Sequence, residues 1–556
     1  MADIQFSRDS CNTVELPLEI YSQIIDHMID NNQLLKPDQP LTEQQSSILK
    51  SCALVCRTFW KLVRPRIFRV VVITLDGTRK HISCFVQLLE DFPDIREFIL
   101  GLELCLVNAT QRLSINEDGL LIEEITRYNS ILMNLPRVEA VIAQFKPHSY
   151  AAMSSPGHCK SDIQHFIEPI IESYCRKGLL RICNIKRICI SPSTLSNITL
   201  CPSLQTLHLH RFDDPDILEK YWELNPSIQT LCLSTTLIPL SVFSRVPKLE
   251  RLVLSHTWFS DNNSSSLVQF PLIGLKELEI EMDGDEFNEN IPQLLAFVRQ
   301  PSSARNIKAF RNLNTLMLYL DYPERDQSAI NSLFEDMESL QTLTIKSQYR
   351  IMHTSLNSLP NLLVLAVMSG RRNGPSWSFL KDINLSQHIK SSFKSLRHLK
   401  LQFSCPGRGT VVYVHPGNDL SDCFLSIPSN NYLEQIWLEL PIDVGLETEN
   451  LDQNPLPCLV KIIAAASSRS NFPYLQRFVL DIVFRFTIPG VDNLHLSYPL
   501  EPIAHWTVVP CLDVMRNIIE YIAQQSGVAL KPCFVPLSPI RGYVQYGCCL
   551  TFSFIE

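Results

Sequence analysis

Two histidines two positions apart, His208 and His210 in CPSLQTLHLH, stand out as chemistry-bearing residues, as do three glutamates at the same spacing, Glu277, Glu279 and Glu281 in KELEIEM. Residues two apart on a strand share one face, so the histidines could ligate a metal. No Cys, Asp or Glu accompanies them at a ligand spacing, which argues against such a site. The glutamates could attract a basic segment, though a charge run is equally a solvated face. The 18 cysteines are scattered and form no C-x-x-C pair; Cys52 and Cys56 lie one helical turn apart and Cys548 and Cys549 are adjacent, neither a zinc spacing. The chain carries no G-x-G-x-x-G, Walker A, G-x-S-x-G or H-E-x-x-H pattern. Its 14 histidines do not cluster with acids. These residues predict no catalytic group, no cofactor and no metal, and hence a binding protein rather than an enzyme.

The elements that would position these residues are written in a recurring phrase, aliphatic-x-x-aliphatic-x-aliphatic. It appears as Leu204-Leu207-Leu209, Ile228-Leu231-Leu233, Leu249-Leu252-Leu254 and Leu275-Leu278-Ile280. Further copies open at Leu313, Leu340, Leu362, Leu396, Leu433 and Leu475, with one at Ile185 and weaker ones at Ile95 and Val138. Each reads as a short strand with one buried face. Pro, Ser, Asn or Gly commonly stands just before the opening aliphatic. Intervals run from 19 to 42 residues from Ile185 onward, so the longer ones need a longer helix or an insertion. The eighth residue after the opening aliphatic is Phe212, Thr236, Thr257, Asp283 or Asp321 in the copies from Leu204 to Leu313. The phrase resembles the irregular leucine-rich repeats of the ribonuclease-inhibitor-like class, which often carry Asn or Cys there. Such turns stack into a solenoid, because one repeat cannot bury its apolar face alone. The expected fold class is therefore α/β: a curved leucine-rich-repeat solenoid with a parallel sheet on its concave face.

Hydrophobic residues make up 45% of the 556, ample for a continuous core. A net charge of −8 argues against general nucleic-acid binding. No apolar run reaches the length of a membrane span, and MADIQFSRDS does not read as a signal peptide. We therefore expect no membrane partner, a reducing cytoplasmic or nuclear setting, and cysteines that act as small hydrophobes.

Ahead of the repeats, residues 14–30 read as a Pro-initiated amphipathic helix and residues 48–63 as a second one ended by Pro65, with a loop over 31–47. A strand (67–75) and a helix (82–91) follow. Stretches 147–161, 259–270, 371–391 and 404–431 read as surface loops, and residues 512–525 with CCLTFSFI as a C-terminal cap. These give three expected regions: 1–68, 69–510 and 511–556. The pair Leu16-Pro17-x-Glu19-Ile20 and Leu54-Val55-Cys56-Arg57-x-Phe59-Trp60, followed by Arg64-Pro65-Arg66-Ile67-Phe68 and Phe85 to Leu89, resembles the F-box-like domains of large fungal families. That resemblance covers about the first hundred residues. It implies a small helical unit that packs on a Skp-type adaptor, and through it a cullin and a RING module. Carried over by motif, the adaptor-facing residues are Leu16, Pro17, Ile20, Ile24, Leu54, Val55, Phe59 and Trp60. The other reading is that both helices merely cap the solenoid.

Residues between the buried aliphatics should face solvent on the concave side: Arg187, Cys189, His208, His210, Arg251, Met317, Tyr319, Thr342, Thr344, Ala366, Met368 and Trp437 among them. Met317, Tyr319, Met368 and Trp437 match the composition of interface cores. Together with His208, His210 and Arg251 they form the expected partner-binding face for an unknown protein substrate. The function expected is thus a substrate-recognition adaptor of the ubiquitin conjugation pathway. The alternative is a leucine-rich-repeat scaffold or regulatory binder with no ligase link.

Overall fold

The structure, a computed structural model, describes residues 18–28, 40–75, 80–107, 120–146, 162–188, 190–210, 225–260, 271–282, 284–298, 310–320, 323–347, 359–369, 395–403, 424–425, 427, 429–444, 456–487, 515–525, 533–536 and 543–553. The chain divides into two compact units, Met1–Leu231 and Cys232–Glu556.

The first unit opens with helices α1 (Leu18–Met28), α2 (Glu43–Ala53) and α3 (Arg57–Ile67). Helix α2 begins inside the stretch expected as loop, because Thr42 and Gln45 make a reciprocal capping box at 3.2 and 3.0 Å. The single helix expected over 48–63 is two. The chain tightens at Leu54 and Val55 through i→i−3 bonds, then restarts after an extended Cys56. A straight helix would hold Leu49 and Val63 about 21 Å apart. Folding at 54–56 instead brings Leu49, Cys52 and Val63 into one cluster with Ile25 of α1, flanked by Leu41, Phe59 and Leu62. Pro65 does not stop α3 at once; it lies inside the helix, which ends two residues later at Ile67. Arg66 ties α3 to α1 by donating to Asp26 Oδ1 (2.6 and 2.9 Å) and Ser22 Oγ (2.8 Å).

Strands β1 (Val70–Leu75), β2 (Gly101–Val107), β3 (Ala140–Lys146), β4 (Ile182–Lys186) and β5 (Thr206–His210) then pair in sequence order, all parallel. Parallel neighbours need a crossover. Helices α4 (Lys80–Asp91), α5 (Leu120–Met133), α6 (Asp162–Arg176) and α7 (Pro192–Thr199) supply it. Two buried columns run across the strands: Leu102, Val141, Cys183, Leu207 and Leu104, Ala143, Ile185, Leu209. They correct two expected copies. The phrase opens at Ile99, since Ile95 lies in a 3-10 turn (Pro93–Phe98), and at Leu180, not Ile185. Cys183 fills an aliphatic's place there, completely buried. Arg187, expected on a strand face, follows the strand instead in a left-handed conformation, φ 58°.

Strand β6 (Thr230–Ser234) lies across the division. In the second unit a small pair, β7 (Leu237–Pro239) and β9 (Trp258–Ser260), stands apart from the main ladder; Phe259 and Ser260, expected in a loop, belong to β9. The ladder itself comprises β8 (Arg251–Ser255), β10 (Glu277–Met282), β11 (Thr315–Leu320), β12 (Thr342–Ser347), β13 (Val364–Ser369), β14 (His398–Phe403), β15 (Gln435–Val444) and β16 (Arg477–Thr487), parallel throughout. Helices α8 (Gly284–Val298), α9 (Pro323–Phe334) and α10 (Leu456–Ser467) are among the returns. The direction then reverses: β18 (Tyr543–Ser553) runs antiparallel to β16, and β17 (Cys533–Pro536) antiparallel to β18. Residues 515–525 form a helix that buries Met515, Ile518, Ile519 and Ile522.

Nearly every described turn enters its strand the same way. Two successive backbone N–H groups donate to one carbonyl of the turn before, as Asn314 and Thr315 do to Lys276 and Glu434 and Gln435 do to Arg397. The polar residues ahead of the opening aliphatic add a second ladder. Asn312 Nδ2 donates to Ile273 O and Asn361 Nδ2 to Glu338 O, both at 2.8 Å, while in the first unit Ser203 Oγ donates to Leu180 O at 2.8 Å. They satisfy carbonyls that a turn would otherwise leave open. Thr257, where leucine-rich repeats often carry Asn, is completely buried and donates from Oγ1 to Leu233 O at 3.1 Å. Just before it His256, like Thr235, is left-handed (φ 46° and 52°), a costly state for β-branched Thr235. The backbone N–H groups of both continue the ladder, to Ser255 O from Thr235 and to Glu281 O from His256. Phe212, Asp283 and Asp321 lie outside the described residues, as does Cys189.

Candidate interaction faces

In the helical N-terminal part, apolar side chains that do not enter the small core remain in solvent. Leu54 is 87% exposed and Val55 68%, both at the break between α2 and α3. Ile20 and Ile24 on α1 and Trp60 on α3 are also exposed. The Arg64 guanidinium lies 5.5 Å from the Trp60 ring centroid and pairs with Asp94 at 2.7 Å. Phe59 differs from the rest of the expected adaptor-facing set. It packs into the core and meets the Tyr21 ring edge-to-face at 5.2 Å. Leu16 and Pro17 lie outside the described residues.

In the first unit, the sheet face opposite the leucine columns carries Glu103, Ile142, Asn184 and His208 in one row and Cys105, Gln144, Lys186 and His210 in the next. Half of it is closed. Glu103, Cys105, Ile142 and Asn184 are all buried. Glu103 Oε1 accepts from the Cys105 thiol at 3.1 Å and from Gln144 Nε2. His208 and His210 are half-buried, with Arg187 Nε donating to His210 Nε2 at 3.4 Å. Among the described residues no group of three or more His, Cys, Asp or Glu is placed to hold a metal ion. None of the described helices is long and apolar enough to cross a membrane.

The corresponding face of the second unit is larger and more open. One row runs Val253, Glu279, Met317, Thr344, Ala366, Lys400, Trp437, Val479; the next runs Ser255, Glu281, Tyr319, Lys346, Met368, Gln402, Glu439, Asp481. Met317, Tyr319, Met368 and Trp437 are half-buried there, while the flanking Leu318 and Leu365 are buried. The expected alternation therefore holds through β11, and in β13 at Leu365 and Met368. Thr344 and Ala366, expected in solvent, are buried because each is short and stands in a row with the longer Met317 and Lys400. At one end Arg251 pairs with Glu277 (3.5 Å) and Glu279 (3.4 Å), and Ser255 Oγ donates to Glu281. The Tyr319 phenol is pushed up by burial first and then by Glu279 and Glu281, and Lys346 Nζ lies 5.2 Å from its ring centroid. At the other end Trp437 is flanked by Lys400 and Asp481. Sequence reading put Lys400 and Glu439 on this face beside the aromatic and sulfur side chains, but not Asp481, and it did not show that these groups meet. Lys400, Glu439 and Asp481 come from strands about 40 residues apart, and only the register aligns them.

No family model and no curated protein matches this chain. Among solved structures it is similar to an internalin (inlF) from Listeria monocytogenes, at 11% identity and a TM-score of 0.27, covering 68% of this chain and 92% of that one. It is also similar to the leucine-rich repeat domain of APL1B, at 13% identity and a TM-score of 0.23, covering 48% and 71%. Overlays this loose add nothing to what the register itself displays, a ladder of leucine-rich-repeat turns in each unit.

Proposed function

We propose that the chain is a leucine-rich-repeat protein-binding scaffold whose partner lies on the open sheet face of the second unit. The observation that carries this is the placement of Met317, Tyr319, Met368 and Trp437 on a register-matched parallel ladder, half out of water. On a paired backbone only the side chains' own rotamer freedom is lost when they are covered, and aromatic and methionine side chains are enriched in interface cores. Crosslinking mass spectrometry on the full chain in its native extract tests it, followed by binding of the identified partner to a Met317→Ser/Met368→Ser variant. Binding should fall at least roughly tenfold, as for truncated anchors; unchanged binding, or crosslinks confined to other surfaces, rejects the reading.

A second reading concerns the helices. Leu54 and Val55 are more exposed than structural apolar residues need be, and together with Ile20, Ile24 and Trp60 they support docking of a Skp-type adaptor. The scaffold would then select a substrate for a cullin–RING ubiquitin ligase, which places it in the cytoplasm or nucleus. Co-purification with such an adaptor, lost on Leu54→Asp with Val55→Asp, is the expected result. No adaptor in stoichiometric yield rejects this second reading and leaves the first untouched.

A further inference from the structure

Strand β1 pairs with β2 on one side, and among the described residues no strand lies on its other side. Arg69 O accepts from Leu100 N at 2.8 Å and from Gly101 N at 2.9 Å, so it points toward β2. Peptide groups alternate sides along a strand. Those of Val71 and Ile73 therefore face β2, and those of Val70, Val72 and Thr74 point outward. No described backbone group takes up the outward three. Helix α3, which leads into β1, is tied to the 3-10 turn Pro93–Phe98. Arg64 pairs there with Asp94 at 2.7 Å and stands 5.7 Å from the Phe98 ring centroid. An open edge is normally blunted by a charge, a proline, a bulge or shortness. β1 reads Val-Val-Val-Ile-Thr-Leu over six residues, in unbroken register with β2, and has none of these. Its β-branched residues favour strand pairing. Val72, at the middle of the outward set, is 45% exposed, while Ile73 beside it is buried in the core.

The chemistry of this edge fits its own copy. It offers no charge for a charged strand to pair with, whereas two such edges match each other. In an antiparallel pair, residues directly opposite share a face, and alternate pairs exchange both N–H···O bonds. With a twofold axis at Val72, every outward group finds a partner. Val72 bonds to Val72 of the second copy, Val70 to Thr74 and Thr74 to Val70. We propose that two copies of the chain join edge to edge through antiparallel β1 strands about a twofold axis at Val72. The two exposed Val72 side chains then cover each other, and Val71 meets Ile73 on the opposite face of the sheet. Such a pair is isologous and closes at two. It uses no residue of the second unit, so it stands or falls apart from the binding face proposed above.

Analytical ultracentrifugation of the full chain over a dilution series tests this. The natural chain should sediment as a dimer that dissociates on dilution. Val72→Lys and Val72→Glu should each weaken that dimer at least roughly tenfold, because like charges then meet at the axis. An equimolar mixture of the two variants should recover it, since opposite charges meet there instead. A chain that is monomeric at every concentration, a dimer indifferent to both variants, or a mixture no tighter than either variant alone overturns the proposal. Should a variant fail to fold, amide exchange over Val70–Leu75 in the natural chain decides. Protection that rises with concentration upholds the pairing. Protection independent of concentration assigns the edge to another part of the same chain and overturns it.

Discussion

The two units are built on the same kind of core and differ in what they put opposite it. Leu207 and Leu209 of the first occupy the same positions in their turn as Leu316 and Leu318 in the second, and all are buried. Across the sheet from them, the first unit buries Glu103, Cys105, Ile142 and Asn184, whereas the second holds Met317, Tyr319, Met368 and Trp437 half in solvent. Leucine columns and entry corners are enough to build a turn. The opposite face is then free to become either structural or receptive. In the first unit it is structural, since a buried carboxylate ringed by donors is part of the packing. In the second it is receptive.

The largest expected effect tests the shared half of this comparison. Leu207→Ala and Leu318→Ala should each cost ~2–5 kcal/mol in denaturant unfolding; a much smaller loss in one would mean that its column is not a true core. The next effect tests the difference. Glu103→Ala removes an acceptor of the Cys105 thiol and of Gln144 in a closed environment and should cost about 1–3 kcal/mol. Glu281→Ala, on the exposed face of β10 two residues beyond the matching Glu279, should stay within ~0.5 kcal/mol. Equal costs would erase the distinction between the faces. Between these lies Thr257→Val, which leaves the buried Leu233 carbonyl without its side-chain donor and should lose about 1 kcal/mol, measured by thermal unfolding. The smallest effect is a pH dependence. Because burial raises the Glu439 carboxyl in the fold, the folded chain holds that proton more tightly than the unfolded chain does. Its contribution to stability is present below the ordinary carboxylate range and is lost as pH rises through the raised value. Glu439→Gln should flatten the stability–pH curve there; an unchanged curve would place that carboxyl in open solvent.

Much of this ladder was legible because LxxLxL states a strand, its register and its buried side together. The copies from Leu204 to Leu475 fall on strands with their aliphatics inward, and the Ser and Asn residues before them mark the entry corners. Where reading failed, a residue stood in for another. Cys183 hid the true opening at Leu180, and Ile188 and Ile190, buried beyond the strand end, imitated a copy at Ile185. The fold-back at Leu54–Cys56 has no breaker residue to announce it and follows from collapse onto Ile25. The burial of Thr344 and Ala366 depends on longer neighbours on the adjoining strands, Met317 and Lys400, which are remote in sequence. Lys400 was legible as a residue of this face, but its meeting with Trp437 and Asp481 was not, since the three come together only through register.

The reversal after β16 also has a consequence for self-association. A parallel series that simply stopped would present the eleven residues of Arg477–Thr487 as an open template, and another copy of the chain could extend it indefinitely. Strand β18 occupies that template in the opposite sense along its whole length, and the strand beyond it, β17, is four residues long and ends in Pro536. A short, proline-ended border offers few free N–H groups to a newcomer. The last two strands thus work as a stop against polymerisation, and a chain deprived of 533–553 should form filaments where the intact one stays discrete.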